Sequence, residues 1–363
     1  MKRITLLIAA LSAMGVSEIS AQNGGGLYDP VMTMYHYQPL EVNPALAGNM
    51  DSKWRMNAVY REQGYSVSRP YRTFEGQLDM QLPINAWSGN IWGFGLSVLN
   101  DDQGDSYMRN SRINGSFSLG QYLDARMEHS ISIGFQGGLG SRAIDYTDTY
   151  WDRQWVGEGF DLKAETGEPQ LNGAAKNYAD LSTGLQYTYY SGELVEFTGG
   201  LGVYHVNRPD VGLYKDADTT HMQRRTTFHA DFSHKIRDNS MFAIKPSVMY
   251  SRQAKRAHLQ AGTRFQFLFN EGTRTTGKRN ESSITFGIFT RASNPNDNIS
   301  FNLLGTMAME FAGFTFGGGY EVPLANFQTV NGYEGAFEFM IGYRAGYQRG
   351  LYNKYSPKKK GKL

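Results

Sequence analysis

The residues best equipped for chemistry cluster in one stretch: His221, His229 and His234, with Asp231 and Ser233 between the last two. A serine-type hydrolase needs a hydroxyl beside an imidazole and an oxyanion donor. A metal centre needs three or four converging ligands. On an extended strand His229 and Asp231 share one face and His234 points to the other. Two same-face residues and a loop histidine fall short of a ligand set, so no metal is expected. No Gly-x-Ser-x-Gly elbow is present. Gly134–Gly140 (GFQGGLG) lacks the Lys-Ser/Thr that completes a phosphate loop. The chain contains no cysteine, which excludes disulfides, thiolate centres, thiol nucleophiles and a lipidated cysteine. No cofactor and no catalysis are expected; a barrel hydrolase using Asp231, Ser233 and His234 is the enzyme alternative.

The elements that would position these groups are strands. Gly 42, Tyr 23 and Phe 21 disfavour helices and suit a pleated surface. From Met56 onward the dominant period is two. Phe74, Gly76, Leu78, Met80 and Leu82 alternate with Glu75, Gln77, Asp79 and Gln81, and Ile131, Ile133 and Phe135 alternate with Ser132, Gly134 and Gln136. Such alternation gives one apolar and one wet face. It recurs often enough for about fourteen strands, most of them around ten residues, the length that crosses a bilayer when tilted. Gaps alternate between short and long, as turns and loops do in outer-membrane barrels, with the fifth gap on each side breaking the rule. The fold class expected is therefore all-β: a transmembrane outer-membrane β-barrel of about 14 antiparallel strands over residues 56–344. Tyrosines near strand ends, such as Tyr60, Tyr122 and Tyr250, belong to interfacial girdles.

The flanks read differently. Residues 1–21 have a secretory signal pattern: Lys2-Arg3, an apolar run, then small residues to Ala21. Residues 345–363 form a tail ending SPKKKGKL, a basic terminus exposed to solvent. Lys+Arg 36 against Asp+Glu 34 leaves no charge excess for a nucleic-acid partner. The loop 140–179 carries Trp151 and Trp155, and indoles so close together call for packing, either as a lumenal plug or against an outside partner.

Between the signal and the first strand, within residues 22–55, lies Tyr35–Gly48, YHYQPLEVNPALAG. Pro39 and Pro44 remove backbone donors and push Gln38 and Asn43 out of the helical region; Gly48 permits a tight bend. The physical reading is an extended, kinked lead-in lying on the periplasmic side ahead of the first strand.

This run resembles the opening signature of the PorP/SprF family of type IX secretion outer-membrane proteins. Tyr60-Arg61-Glu62-Gln63 is similar to the family's Arg-x-Gln motif, and Gly93–Leu96 through Asn100–Gly104 to its hairpin. Gly318-Gly319-Tyr320-Glu321-Val322 resembles its penultimate strand, with Glu321 and Val322 in place of Tyr-Asp. Ala336-Phe337-Glu338 stands where the family has Ser-His-Glu. The resemblance implies a cell outer-membrane barrel without chemistry, serving secretion or gliding motility at the cell surface. Its partners would be a secreted cargo or adhesin C-terminal domain, periplasmic secretion-machine proteins and lipoproteins, and outer-membrane lipid. Tyr35, Pro39, Leu40, Asn43, Pro44, Ala45 and Gly48, with Trp151 and Trp155, are the candidate partner-binding residues. A porin-like passive channel is the alternative, suggested by the polar lumen face.

Overall fold

The computed structural model describes residues 28–64, 69–82, 90–103, 108–144, 150–161, 163–165, 167, 175–191, 194–213, 220–236, 240–270, 281–294, 299–324 and 335–346. The signal-like residues 1–21 and the SPKKKGKL tail lie outside them.

Fourteen antiparallel strands close into one barrel. They are β1 (Trp54–Gln63), β2 (Tyr71–Leu82), β3 (Asn90–Gln103), β4 (Met108–Tyr122), β5 (His129–Ile144), β6 (Ala175–Ser191) and β7 (Val195–Tyr204). The circuit continues through β8 (Arg225–Lys235), β9 (Phe242–Gln253), β10 (Arg256–Asn270), β11 (Ser282–Asn294), β12 (Ser300–Phe311), β13 (Phe314–Pro323) and β14 (Ala336–Ala345). Each strand pairs with its sequence neighbours, and β14 returns to β1 with Arg61 opposite Glu338. Closure removes the unpaired edges that an open sheet would expose.

The alternation seen in sequence sorts side chains as expected, but with buried and exposed exchanged relative to a water-soluble protein. On β2, Thr73, Glu75, Gln77, Asp79 and Gln81 are buried while Phe74, Met80 and Leu82 are exposed. An outer surface this apolar suits lipid rather than water. No helix among the described residues is long and apolar enough to cross a membrane; the strands do so.

The connections keep the expected asymmetry. At the rim where β1 begins, residues 192–194 join β6 to β7 and Ala312-Gly313 join β12 to β13. Both turn residues have positive φ, 51° and 89°, the geometry that matches strand twist in a two-residue hairpin. At the opposite rim, residues 145–174 and 205–224 make long crossings. The two expected breaks are present, with β9 turning into β10 through residues 254–255 and residues 271–281 separating β10 from β11, and the far rim has two further short connections, 104–107 and 295–299.

The lead-in to β1 is not ahead of the barrel but inside it. Tyr28 sits at the far rim, where the Arg256 guanidinium covers its ring at 3.9 Å. At the near rim the Lys53 N–H donates to the Ala345 carbonyl at 3.0 Å. Between these ends the segment touches all fourteen strands, through polar contacts described below and through Met34, which packs with Val59 of β1, Ala308 of β12 and Met340 of β14. It is also less extended than its prolines suggest. Pro39–Val42 forms one helical turn and Pro44–Leu46 a 3-10 turn. A proline at the first position of a turn gives up a donor that would have no partner there anyway, and its fixed φ fits the turn. Gln38 and Asn43, before each proline, do stay outside the helical region. Gly48, at φ 66°, makes the expected bend.

Candidate functional site

The site is the interface between this internal plug and the lumen wall. Its middle is the Pro39–Gly48 stretch, whose backbone polar groups must find partners because no solvent reaches them. The Leu40 N–H donates to Gln77 Oε1 at 3.2 Å, and Tyr204 Oη donates to the Leu40 carbonyl at 2.8 Å. Asn43 does two jobs: Oδ1 accepts from the Ala45 N–H at 2.9 Å, capping the second turn, while Nδ2 donates to the Leu185 carbonyl of β6 at 2.9 Å. Ser118 Oγ donates to the Ala47 carbonyl at 2.6 Å. Asp79 accepts from the Gly48 N–H at 3.0 Å and holds Arg55 through two bonds at 2.8 and 2.9 Å. Two wall glycines make this contact possible. A Cβ on Gly93 would strike the Ala47 carbonyl, and one on Gly134 would strike the Pro44–Ala45 backbone.

Two buried ion clusters fix the plug toward the far rim. In the first, Arg61 of β1 binds Glu338 of β14 at 2.7 Å and Glu321 of β13 at 2.9 Å, and Arg291 of β11 binds Glu321 at 2.8 Å. The plug backbone is part of this network. Glu338 accepts from the Met34 N–H at 2.8 Å and from the Thr33 N–H. Arg291 donates to the Met32 carbonyl at 3.0 Å and Gln260 Nε2 to the Thr33 carbonyl at 2.9 Å. In the second cluster Asp29 meets Arg112 at 2.8 Å, His205 Nε2 at 2.8 Å and Arg225 at 3.1 Å. His205 Nδ1 faces Asp180 at 2.8 Å, and Glu41 binds Arg225 at 3.0 Å. The Asp29 N–H donates to Gln253 Oε1 at 2.8 Å.

Burial would raise the pKa of Asp29, but Arg112, His205 and Arg225 outweigh it and hold the carboxyl well below the usual range. Burial would lower that of His205, which lies just beyond β7; Asp29 and Asp180 outweigh it and hold the imidazole above its ordinary value. A protonated His205 donates from both nitrogens and bridges the two carboxylates.

The sequence-derived candidates fall into two groups. Tyr35, Pro39, Leu40, Asn43, Pro44, Ala45 and Gly48 come together, all buried, and what they contact is the wall of their own barrel. Trp151 and Trp155 are elsewhere. Their loop closes on itself, with Trp155 bridged to Phe160, their rings 5.0 Å apart, and the Tyr150 ring 4.9 Å from Phe160. Trp155 remains 52% exposed.

The hydrolase arrangement does not assemble. Ser233 faces the lumen while the exposed His234 faces outward beside Phe232. His221 Nδ1 donates to the Arg208 carbonyl at 2.9 Å, in the far-rim loop. His229 lies 3.7 Å from Asp231 with its Nε2 3.3 Å from Asn43, a packed wall residue. No cluster of metal-ligating side chains occurs among the described residues.

Arg61, Glu321 and Glu338 carry the family signatures, yet their convergence was not legible from the chain. Asp29, Arg112, His205, Arg225 and Arg291 carried one overlooked signal: arginines on the polar face of a membrane strand point into the lumen and must be paired there.

This fold and this site define a plugged outer-membrane β-barrel. A sequence profile of the family described as type IX secretion system membrane protein PorP/SprF matches residues 25–343, and the chain belongs to that family. It is a family of secretion-system membrane proteins rather than of enzymes, and membership implies partners in that machinery. No curated protein matches. Among solved structures, the toluene transporter TbuX of Ralstonia pickettii is 12% identical, with 85% of this chain and 93% of that chain covered and a TM-score of 0.47. The CymD monoaromatic hydrocarbon channel is 12% identical over 86% and 93%, also with a TM-score of 0.47. A Pseudomonas aeruginosa FadL homologue is 9% identical over 84% and 92%, again at 0.47. At these values the likeness says nothing about what this lumen passes or holds.

Proposed function

We propose that this barrel performs no catalysis and acts as an attachment component of the type IX secretion and gliding-motility machinery. It anchors or helps export a secreted surface protein, through that protein's C-terminal domain, and contacts periplasmic ring proteins and lipoproteins. The observation that supports this reading is the plug: the Tyr35–Gly48 signature is spent on filling the barrel from within, touching strands all around the circuit, which favours a closed platform over a conduit. Short turns at the near rim support a periplasmic position for it, and long loops at the far rim support a position at the cell surface. The exposed Trp155 and Phe160 of the 150–161 loop then face outward, where cargo would dock. The N-terminal 21 residues act as a cleaved signal peptide. The passive-channel reading would need an open axis, which the plug occupies.

The test is a pull-down of the tagged protein from outer membranes in mild detergent. Recovery of a secreted protein's C-terminal domain or of ring lipoproteins is expected; recovery of the barrel alone, together with normal secretion in a deletion strain, would overturn the reading.

A further inference from the structure

Between the plug and the wall of β7–β10, toward the near rim, a cavity of about 210 Å³ remains. Tyr35, His36 and Pro39 form its plug side; Glu196, Lys245 and Arg264 stand on its wall. The wall charges are arranged against the interest of the sheet. Lys245 of β9 is directly opposite Arg264 of β10. Like charges in that position repel, and a sheet tolerates them where something else supplies the opposite charge. Asp231, which also lines the cavity, is 3.3 Å from Arg264 and 3.7 Å from His229 Nδ1 and makes no ion pair with Lys245 among the described residues. Lys245 and Glu196 make no ion pair or hydrogen bond among the described residues. β8 stands between their strands, and two strand spacings amount to ~9–10 Å.

The plug lines the same cavity with a hydroxyl and with apolar side chains. Tyr35 is 3% exposed, and its hydroxyl lies beside the hydroxyl of Ser247 on β9. Pro39, Val42 and Leu46 add an apolar patch to the same cavity.

We propose that the cavity binds a small zwitterion of the α-amino-acid class. Its carboxylate lies between Lys245 and Arg264, its ammonium is turned toward Glu196, the Tyr35 hydroxyl bonds to the carboxylate, and any side chain rests on the apolar patch. A simple anion would leave Glu196 unpaired beside it, and a simple cation would meet Lys245 and Arg264. A ligand carrying both signs a few ångströms apart satisfies both walls. The cavity is smaller than the ~300 Å³ at which drug-sized pockets begin, which limits the ligand to a few heavy atoms.

The test uses the full chain in detergent micelles, with alanine, propionate and ethylamine as probes in saturation-transfer NMR titrations. Saturable alanine binding is expected, with propionate and ethylamine each weaker by about tenfold or more. Lys245→Gln, Glu196→Gln and Tyr35→Phe should each weaken alanine by about threefold to tenfold while the barrel keeps its heat-modifiable mobility on gels. Equal binding of propionate and alanine, no saturable alanine signal up to about 10 mM, or variants that bind as the unmodified chain does would each overturn the proposal. If the variants fail to fold, the three probes on the unmodified chain still decide it.

Discussion

The lumen handles charge in two ways along its length. Toward the far rim, Arg61, Arg291, Glu321 and Glu338 form a closed set, Arg61 between two carboxylates and Arg291 against one, with Glu338 and Arg291 also bonded to the plug backbone. Toward the near rim, Lys245 faces Arg264, Glu196 stands apart, and a cavity lies in front of them. The strands, spacing and polar face are the same at both levels. What differs is whether the plug brings its own backbone to complete the pairing. Where it does, charge holds the chain in place; where it does not, charge is left for something else.

Removing a cation should therefore have opposite consequences at the two levels. Arg61→Ala strands Glu338 in a buried site and leaves Glu321 with Arg291 alone, and loss of one partner there costs about 3–5 kcal/mol. Urea unfolding of the barrel in detergent should show a correspondingly lower midpoint, and protease should cut residues 28–53. A midpoint within error of the unmodified protein would erase the distinction between the two levels. Gly93→Val attacks the plug directly, since the new side chain meets the Ala47 carbonyl, and should cost about 1–3 kcal/mol by overpacking. Single-channel recording should show conductance as the plug is displaced.

The Asp29–His205 cluster gives a pH test of the closed set. Asp29, held low, contributes stability that is present above the ordinary carboxyl range and is lost as pH falls through its depressed value. His205, held high, contributes fully below the ordinary histidine value and loses that contribution as pH rises through its elevated one. Protection of the Asp29 amide, measured against its intrinsic base-catalysed exchange rate, should fall as pH rises through the elevated His205 value, and His205→Gln should abolish that fall. The smallest effect is expected at the other end: Lys245→Ala relieves a like-charge pair and should leave stability unchanged or raise it by about 0.2–1 kcal/mol. Destabilisation comparable to Arg61→Ala would show that Lys245 belongs to the closed set after all.

How much of this was legible in the sequence varies with the kind of interaction. The first strand, read from Met56 to Gln63, runs Trp54–Gln63, and the tight Ala312-Gly313 hairpin stands where the alternation changes phase. The outward placement of Phe74 and the inward placement of Glu75 follow from period two alone. The YHYQPLEVNPALAG stretch was recognisable as special, and Gln38, Asn43 and Gly48 adopt the backbone that their neighbours dictate. Its location was not legible. Prolines and small residues describe a kinked segment equally well outside a barrel or within one.

The sequence by itself determined the strands, their lipid and lumen faces, and the family, because each of these is written in local spacing and short motifs. Tertiary structure alone decided that the plug lies inside and that Arg61, Glu321 and Glu338 grip it. Thr33 and Glu338 are 305 residues apart and meet only once β14 closes on β1. The width of the closed lumen then sets how much chain fits within it. No local pattern encodes that width, since it belongs to the ring of fourteen strands as a whole.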